Sequence, residues 1–238
     1  MYFNDVKIVP KTADSANHAG AENLTPGYAN EELCNFFWGQ TLLTHSPSFE
    51  GLTYDTFIIG NILGSFCEGC TNLRELEDLS IFTFADTHHN VGNFWFSKCT
   101  NLSNLNAKPN EVITLMLDNN YGGATNCFSY CTSLTDVSCF RIGGNNWQVG
   151  ESMFESSGIV NGPEIFLTGG GSWSLTKLLK NCTSLRNFKI TGTHWYSGRQ
   201  EWVMGVPGEQ VTVYKNPALS SLFGITYLPT GCTVIDLE

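Results

Sequence analysis

The sequence predicts an α/β chain of solenoid type: a β-rich, right-handed stack of about six coils with parallel strands and capped ends. Three observations predict it. A short phrase, an apolar pair followed by two or three small or polar residues and then Cys-Thr-Asn/Ser-Leu, returns along the 238 residues. Its anchors at Gln40, Cys70, Cys99, Cys131, Ser157 and Cys182 lie 30, 29, 32, 26 and 25 residues apart, a spacing that marks stacked repeats. After four of these six anchors comes a short run of two-residue alternation, the strand period, and Gly/Asn-rich corners recur along the chain.

The intact copies are Phe66-Cys67-Glu68-Gly69-Cys70-Thr71-Asn72-Leu73, Trp95 to Leu102, Cys127 to Leu134 and Leu178 to Leu185. A fifth, Met153 to Val160, puts Ser157 where Cys belongs, and a weaker one runs from Phe36 to Leu43. Leu73, Leu102, Leu134 and Leu185 follow their anchors by three residues and read as one inward column. Leu79-Ser80-Ile81, Ile113 to Leu117, Ile165-Phe166-Leu167 and Phe188-Lys189-Ile190 read as strands. The corners are Asp118 to Gly123, Gly143 to Asn146, Gly169-Gly170-Gly171 and Gly192, residue types that take positive φ and close turns. A lone repeat cannot bury its apolar face, so the stack needs several copies and a cover at each end. Residues 1–33 read as an N-terminal cap or connector, 34–206 as the solenoid and 207–238 as the C-terminal cap.

Composition narrows the function. Charged residues are 14%, aromatics 13% and Gly 24 in number, closer to a loop-rich β protein than to a helical bundle. A formal charge of -10 argues against a nucleic-acid partner, which needs a concentrated basic surface, and against docking on an anionic membrane. The longest mostly apolar run, Phe57 to Phe66, is too short and too interrupted for a transmembrane segment. The first residues lack the charged-then-apolar pattern of a secretion signal, which leaves retention in a cytoplasm or a signal already removed.

The nine Cys raise disulfide and metal readings. Cys70, Cys99, Cys131 and Cys182 occupy one slot in successive repeats, where their Cβ vectors point the same way. They read as a buried thiol column in which Cys serves as a small apolar residue. Cys67-x-x-Cys70 and Cys127-x-x-x-Cys131 resemble zinc half-sites, but their separation is too wide and both fall on the repeat template. No metal and no cofactor is expected. Neither a nucleophile elbow, a phosphate loop nor a zinc-protease helix is present, and the expectation is a non-enzyme with no catalytic residue.

These residues resemble the BspA-like leucine-rich repeats of bacterial surface proteins, the Treponema-type subfamily. Val91-Gly92-Asn93-Phe94-Trp95-Phe96-Ser97-Lys98-Cys99-Thr100-Asn101-Leu102 and Val149-Gly150-Glu151-Ser152-Met153-Phe154 carry the resemblance, which spans about residues 34 to 206. The coils here are longer, the Ile-Pro after the strand is missing, and larger residues stand where the pattern has Ala. The resemblance implies a leucine-rich-repeat solenoid at the cell surface or outside the cell, binding protein, matrix or neighbouring cells without catalysis. It also implies an alternative, a phage virion protein of tail or capsid using the module for host attachment or particle assembly.

One candidate ligand-binding file emerges from the spacing. His89, Tyr121 and Trp147 stand seven residues before Phe96, Phe128 and Phe154, Trp195 seven before Trp202, and Trp173 six before Leu179. Pointing outward, these rings beside Asn119, Asn120, Asn145 and Asn146 would suit a sugar face or a protein hot spot; folded back, each would seal the gap between coils. A second candidate is an apolar stripe of Phe82, Met116, Phe140 and Phe166 on the outer strand face, suited to self-association.

Overall fold

The computed structural model describes residues 2–3, 6–7, 37–46, 48, 65–83, 93–116, 124–144, 150–167, 175–192, 200–221 and 228–238. Near the start, β1 (Tyr2–Phe3) and β2 (Val6–Lys7) pair antiparallel. Six strands then form one sheet: β3 (Ile113–Met116), β4 (Phe140–Gly144), β5 (Asn161–Leu167), β6 (Asn187–Gly192), β7 (Thr212–Lys215) and β8 (Thr233–Asp236). They lie in chain order and every pair is parallel. Parallel neighbours in sequence order require a crossover after each strand, and repeating that crossover winds the chain into a β-solenoid. Isolated parallel bridges His45↔Glu75 and Glu75↔Asn104 carry the pairing upstream of β3. Strands β7 and β8, both within 207–238, extend the same sheet rather than crossing its end.

The α/β expectation resolves to β. Helix among the described residues amounts to α1 (Ser80–Thr83) and 3-10 segments at Gln200–Val203, Gly208–Gln210 and Pro217–Ser221. The return segments are turns stacked on turns, in which N–H groups bonded to the next coil alternate with N–H groups bonded three residues back in their own.

Register places the interior. Leu115, Ile142, Ile165 and Ile190 are consecutive cross-strand partners, and all four are buried. Leu73, Leu102, Leu134 and Leu185 are fully buried in the same core cluster, with Leu76, Leu105 and Val137 three residues beyond the first three. Down the middle, Phe96 and Phe128 stack at 5.4 Å, and Phe128 and Phe154 at 5.8 Å. Phe82 wedges against that stack, 5.8 Å from Phe128 and 5.0 Å edge-on from Phe140. Burying one such ring contributes roughly 1.5–3 kcal/mol.

Two local expectations are corrected. Leu79-Ser80-Ile81 is not a strand, because Asp78 accepts the Ser80 N–H at 2.8 Å and starts α1, which turns Ile81 and Phe82 both inward. Gly143 and Gly144 are not a corner but the end of β4. A Cβ at Gly143 would sit 2.0 Å from the Phe166 carbonyl oxygen, so glycine marks a close approach of two strands. In the fifth copy, where Ser157 stands for Cys, Ile159 fills the inward slot and is fully buried. That copy is one residue short at this point, and a bulge between Asn161 and Glu164 restores the register with β6. The corners at 118–123, 145–146 and 169–171 lie outside the described residues. Gly192 closes β6 with φ +95°.

Candidate functional site

Opposite the sheet, the apolar pairs form a second ladder. Backbone N–H groups of Ser65, Cys67 and Gly69 donate to the carbonyls of Asn93, Trp95 and Ser97, and those of Phe94, Phe96 and Lys98 to Thr125, Cys127 and Ser129. The pattern repeats from Asn126, Phe128 and Tyr130 to Glu151, Met153 and Glu155, and from Ser152, Phe154 and Ser156 to Thr176, Leu178 and Lys180. Every donor faces the following coil. Such one-way bonding requires the backbone to alternate hand, and residues five and one before the anchor have positive φ: Ser65, Gly69, Phe94, Lys98, Asn126, Tyr130, Ser152, Ser156, Lys177 and Asn181. No two-residue or 3.6-residue period announces this, so the sequence reading missed it.

The anchor column is more than packing. The carbonyl three residues before every anchor but the last, Cys182, accepts twice, from the anchor N–H of its own coil and from the anchor side chain of the next. Cys70 Sγ donates to Phe37 O at 2.8 Å, Cys99 to Cys67 O, Cys131 to Phe96 O and Cys182 to Phe154 O, each at 3.0 Å. Ser157 Oγ donates to Phe128 O in the same way. The slot therefore wants a small side chain with a donor, which Cys and Ser both supply. Asn at the second position after the anchor ties coils in a similar way, since Asn72 and Asn101 donate to the carbonyls of Thr41 and Thr71. The eight described cysteines are free thiols. Burial holds those of Cys67, Cys99, Cys127 and Cys131 well above the ordinary range and pushes Cys182 up to about 12.

At the entrance to the strands a polar row crosses the coils. His45 pairs with Glu75, Asn161 donates to Asp136 at 3.0 Å and Asn187 to Asn161 at 2.9 Å. On the outer strand face, Arg141, Glu164 and Lys189 are successive cross-strand partners. Arg141 donates from Nε and Nη2 to one Glu164 oxygen at 2.7 Å, which also accepts from Thr191, and its guanidinium lies 4.7 Å over the Phe166 ring. The expected apolar stripe does not form. Phe82 and Phe140 face the core, Phe166 lies half-buried under Arg141, and the Met116 side chain is outside the described set.

No family model, no curated protein and no solved structure matches this chain. Fold and surface thus rest on the residues themselves.

His89, Tyr121, Trp147, Trp173 and Trp195 all lie outside the described residues. Among the described residues, no helix is long and apolar enough to cross a membrane, and no group of three His, Cys, Asp or Glu is placed to hold a metal ion. Two other aromatics do stand out on the turn ladder. Phe94 (φ +58°) and Tyr130 (φ +62°) are 38% and 46% exposed. The same ladder positions elsewhere hold Gly, Ser, Asn or Lys. A left-handed conformation costs an aromatic residue about 1–2 kcal/mol, and neither ring is repaid by full burial. Between them Ser97 and Ser129 join hydroxyls at 2.9 Å beneath the surface. Asn126 follows Phe94 along one column of the ladder, and Lys98, paired with Glu68 at 2.7 Å, precedes Tyr130 along the other.

Proposed function

We propose that this chain is a BspA-like leucine-rich-repeat solenoid that acts as a non-catalytic recognition module at the bacterial cell surface, binding protein or glycan. In this reading residues 34–206 make about six coils, counted from the anchors Gln40 to Cys182, with 1–33 and 207–238 as caps. Crossovers between parallel strands of one sheet are right-handed in nearly all proteins, which sets the hand of the stack. The observation that carries the reading is the column order: equivalent side chains of successive coils line up along one axis, in the anchor column, the polar row and the turn ladder. A scaffold built that way displays an extended, repeated surface, which is what solenoids use for binding.

The test is binding of fluorescently labelled protein to intact bacterial and host cells. Saturable binding that unlabelled protein competes away is expected; a flat signal on every cell type would overturn the reading. A second reading, a phage virion protein, is favoured by the free thiols, since donors of the Cys99 or Cys131 kind must be reduced when the coils stack. Antibody detection of the chain in purified phage particles, and its absence from the surface of uninfected cells, would decide for that alternative.

A further inference from the structure

We infer that Phe94 and Tyr130, with Asn126 and Lys98, form a binding site for a neutral saccharide chain on the turn ladder of the solenoid. The inference rests on the recognition reading above and names the ligand class of one part of that surface. Its starting point is that the fold needs neither ring. Both occupy left-handed positions that Gly39, Gly69, Ser152, Ser156 and Asn181 fill elsewhere on the ladder, and both remain exposed. A residue that is strained and leaves apolar surface in water is retained for what the surface touches.

The rings are close enough to act together. Ser97 N–H donates to Phe94 O, a turn that keeps those Cα atoms within about 7 Å. Lys98 is the next residue, and its N–H donates to Ser129 O, so Tyr130 lies one coil further along the ladder. The ring-bearing backbones are therefore roughly 10 Å apart, a separation that one oligosaccharide can span.

The chemistry of the surroundings selects the ligand. The serine pair Ser97 and Ser129 is almost fully covered, and its hydroxyls are engaged with each other and with the Asn126 carbonyl, which leaves the ring faces as the contact surface. Around the rings stand Ser65, Asn126 and Ser156, partly exposed hydroxyl and carboxamide groups, and the nearby charge of Lys98 is matched by Glu68. Flat apolar faces bordered by uncharged donors and acceptors fit the C–H face and equatorial hydroxyls of a sugar. Among the described residues, two rings are too little apolar area for the core of a stable protein interface, and the paired Lys98 and Glu68 give an acidic polysaccharide no counter-charge.

The experiment is affinity electrophoresis of the whole chain in native gels containing a β-glucan, a mannan or a galactan. Wild type is compared with Phe94→Asn, Tyr130→Asn and the control Val112→Ser, a change at an exposed apolar residue outside the ladder; thermal melts accompany each. Retardation by at least one polysaccharide is expected. Each ring variant should weaken it about tenfold or more, the loss of one ring contact, while Tm stays level or rises because Asn takes the left-handed conformation readily. Val112→Ser should match wild type. Absence of retardation in all three gels, retardation unchanged in both ring variants, or a Tm drop of several degrees in them would overturn the inference, the last by showing the rings to be covers for the serine pair. If the protein still binds cells in the first of these cases, the saccharide assignment falls and the recognition reading stands.

Discussion

The anchor residue sets the chemistry of the stack. A carbonyl that accepts one hydrogen bond from its own coil and a second from the next ties neighbouring coils together at a buried point, using a thiol where a hydroxyl also serves. Cys99→Ser should therefore keep stability within about 1 kcal/mol of wild type, whereas Cys99→Ala loses the donor and leaves a small void, at about 1–2 kcal/mol. Urea denaturation of the two variants checks this ordering. The thiols also make a prediction about reactivity. Attack requires thiolate, and burial suppresses it at Cys99, Cys131 and Cys182, whereas the hydrogen bond with Cys67 lowers the Cys70 thiol. In the folded protein near pH 8, Cys99, Cys131 and Cys182 should resist alkylation for hours. At least eight thiols should titrate at once under denaturing, non-reducing conditions, and a markedly smaller number would contradict the hydrogen-bonded column.

At the scale of the element, strands and turns are held by different devices. The strands depend on close backbone approach. A Cβ at Gly143 would fall 2.0 Å from the Phe166 carbonyl oxygen of the next strand, so Gly143→Ala should cost about 3 kcal/mol or more, read as a shift of the denaturation midpoint. The polar row at the strand entrance carries a pH signature. Burial pushes the Asp136 carboxyl up, but hydrogen bonds from the Ser138 side chain and N–H and from Asn161 more than offset it, and the net shift is downward. A depressed carboxylate stabilises the fold above its unfolded pKa, near about 3.9, and that contribution disappears as pH falls through the lower folded value. Asp136→Asn should flatten the acid limb of a stability-against-pH curve below about pH 4 while leaving the neutral region nearly level. An unchanged acid limb would place the titration elsewhere.

For the molecule as a whole, stability comes from neighbour-to-neighbour contact along one axis. Phe128 sits at the middle of the ring stack and touches the coils on both sides through Phe96 and Phe154. Phe128→Ala should cost about 3–5 kcal/mol, against less than about 0.5 kcal/mol for Lys108→Ala at an exposed turn; equal midpoints in urea would refute the shared-core arrangement. Solenoid class, the anchor slots and the inward Leu column were all legible in the linear order of residues, because a period of tens of residues survives in one dimension. The identity of a position within each coil was less so: Ser80 to Thr83 has an apolar alternation that a capping Asp78 turns into helix, and Phe140 and Phe166 differ only in which face of their strands they occupy.

What the chain's order establishes is repetition, and with it the sharing of one interior by Cys70, Cys99, Cys131 and Cys182. What needed three dimensions is the hand of the backbone at Phe94 and Tyr130, the bifurcated carbonyls behind the anchors and the bulge that realigns β5. The reason is physical. Burial follows from hydrophobic pattern, which composition and period encode, whereas φ, hydrogen-bond partners and register are settled between coils about thirty residues apart in sequence and one strand spacing apart in space.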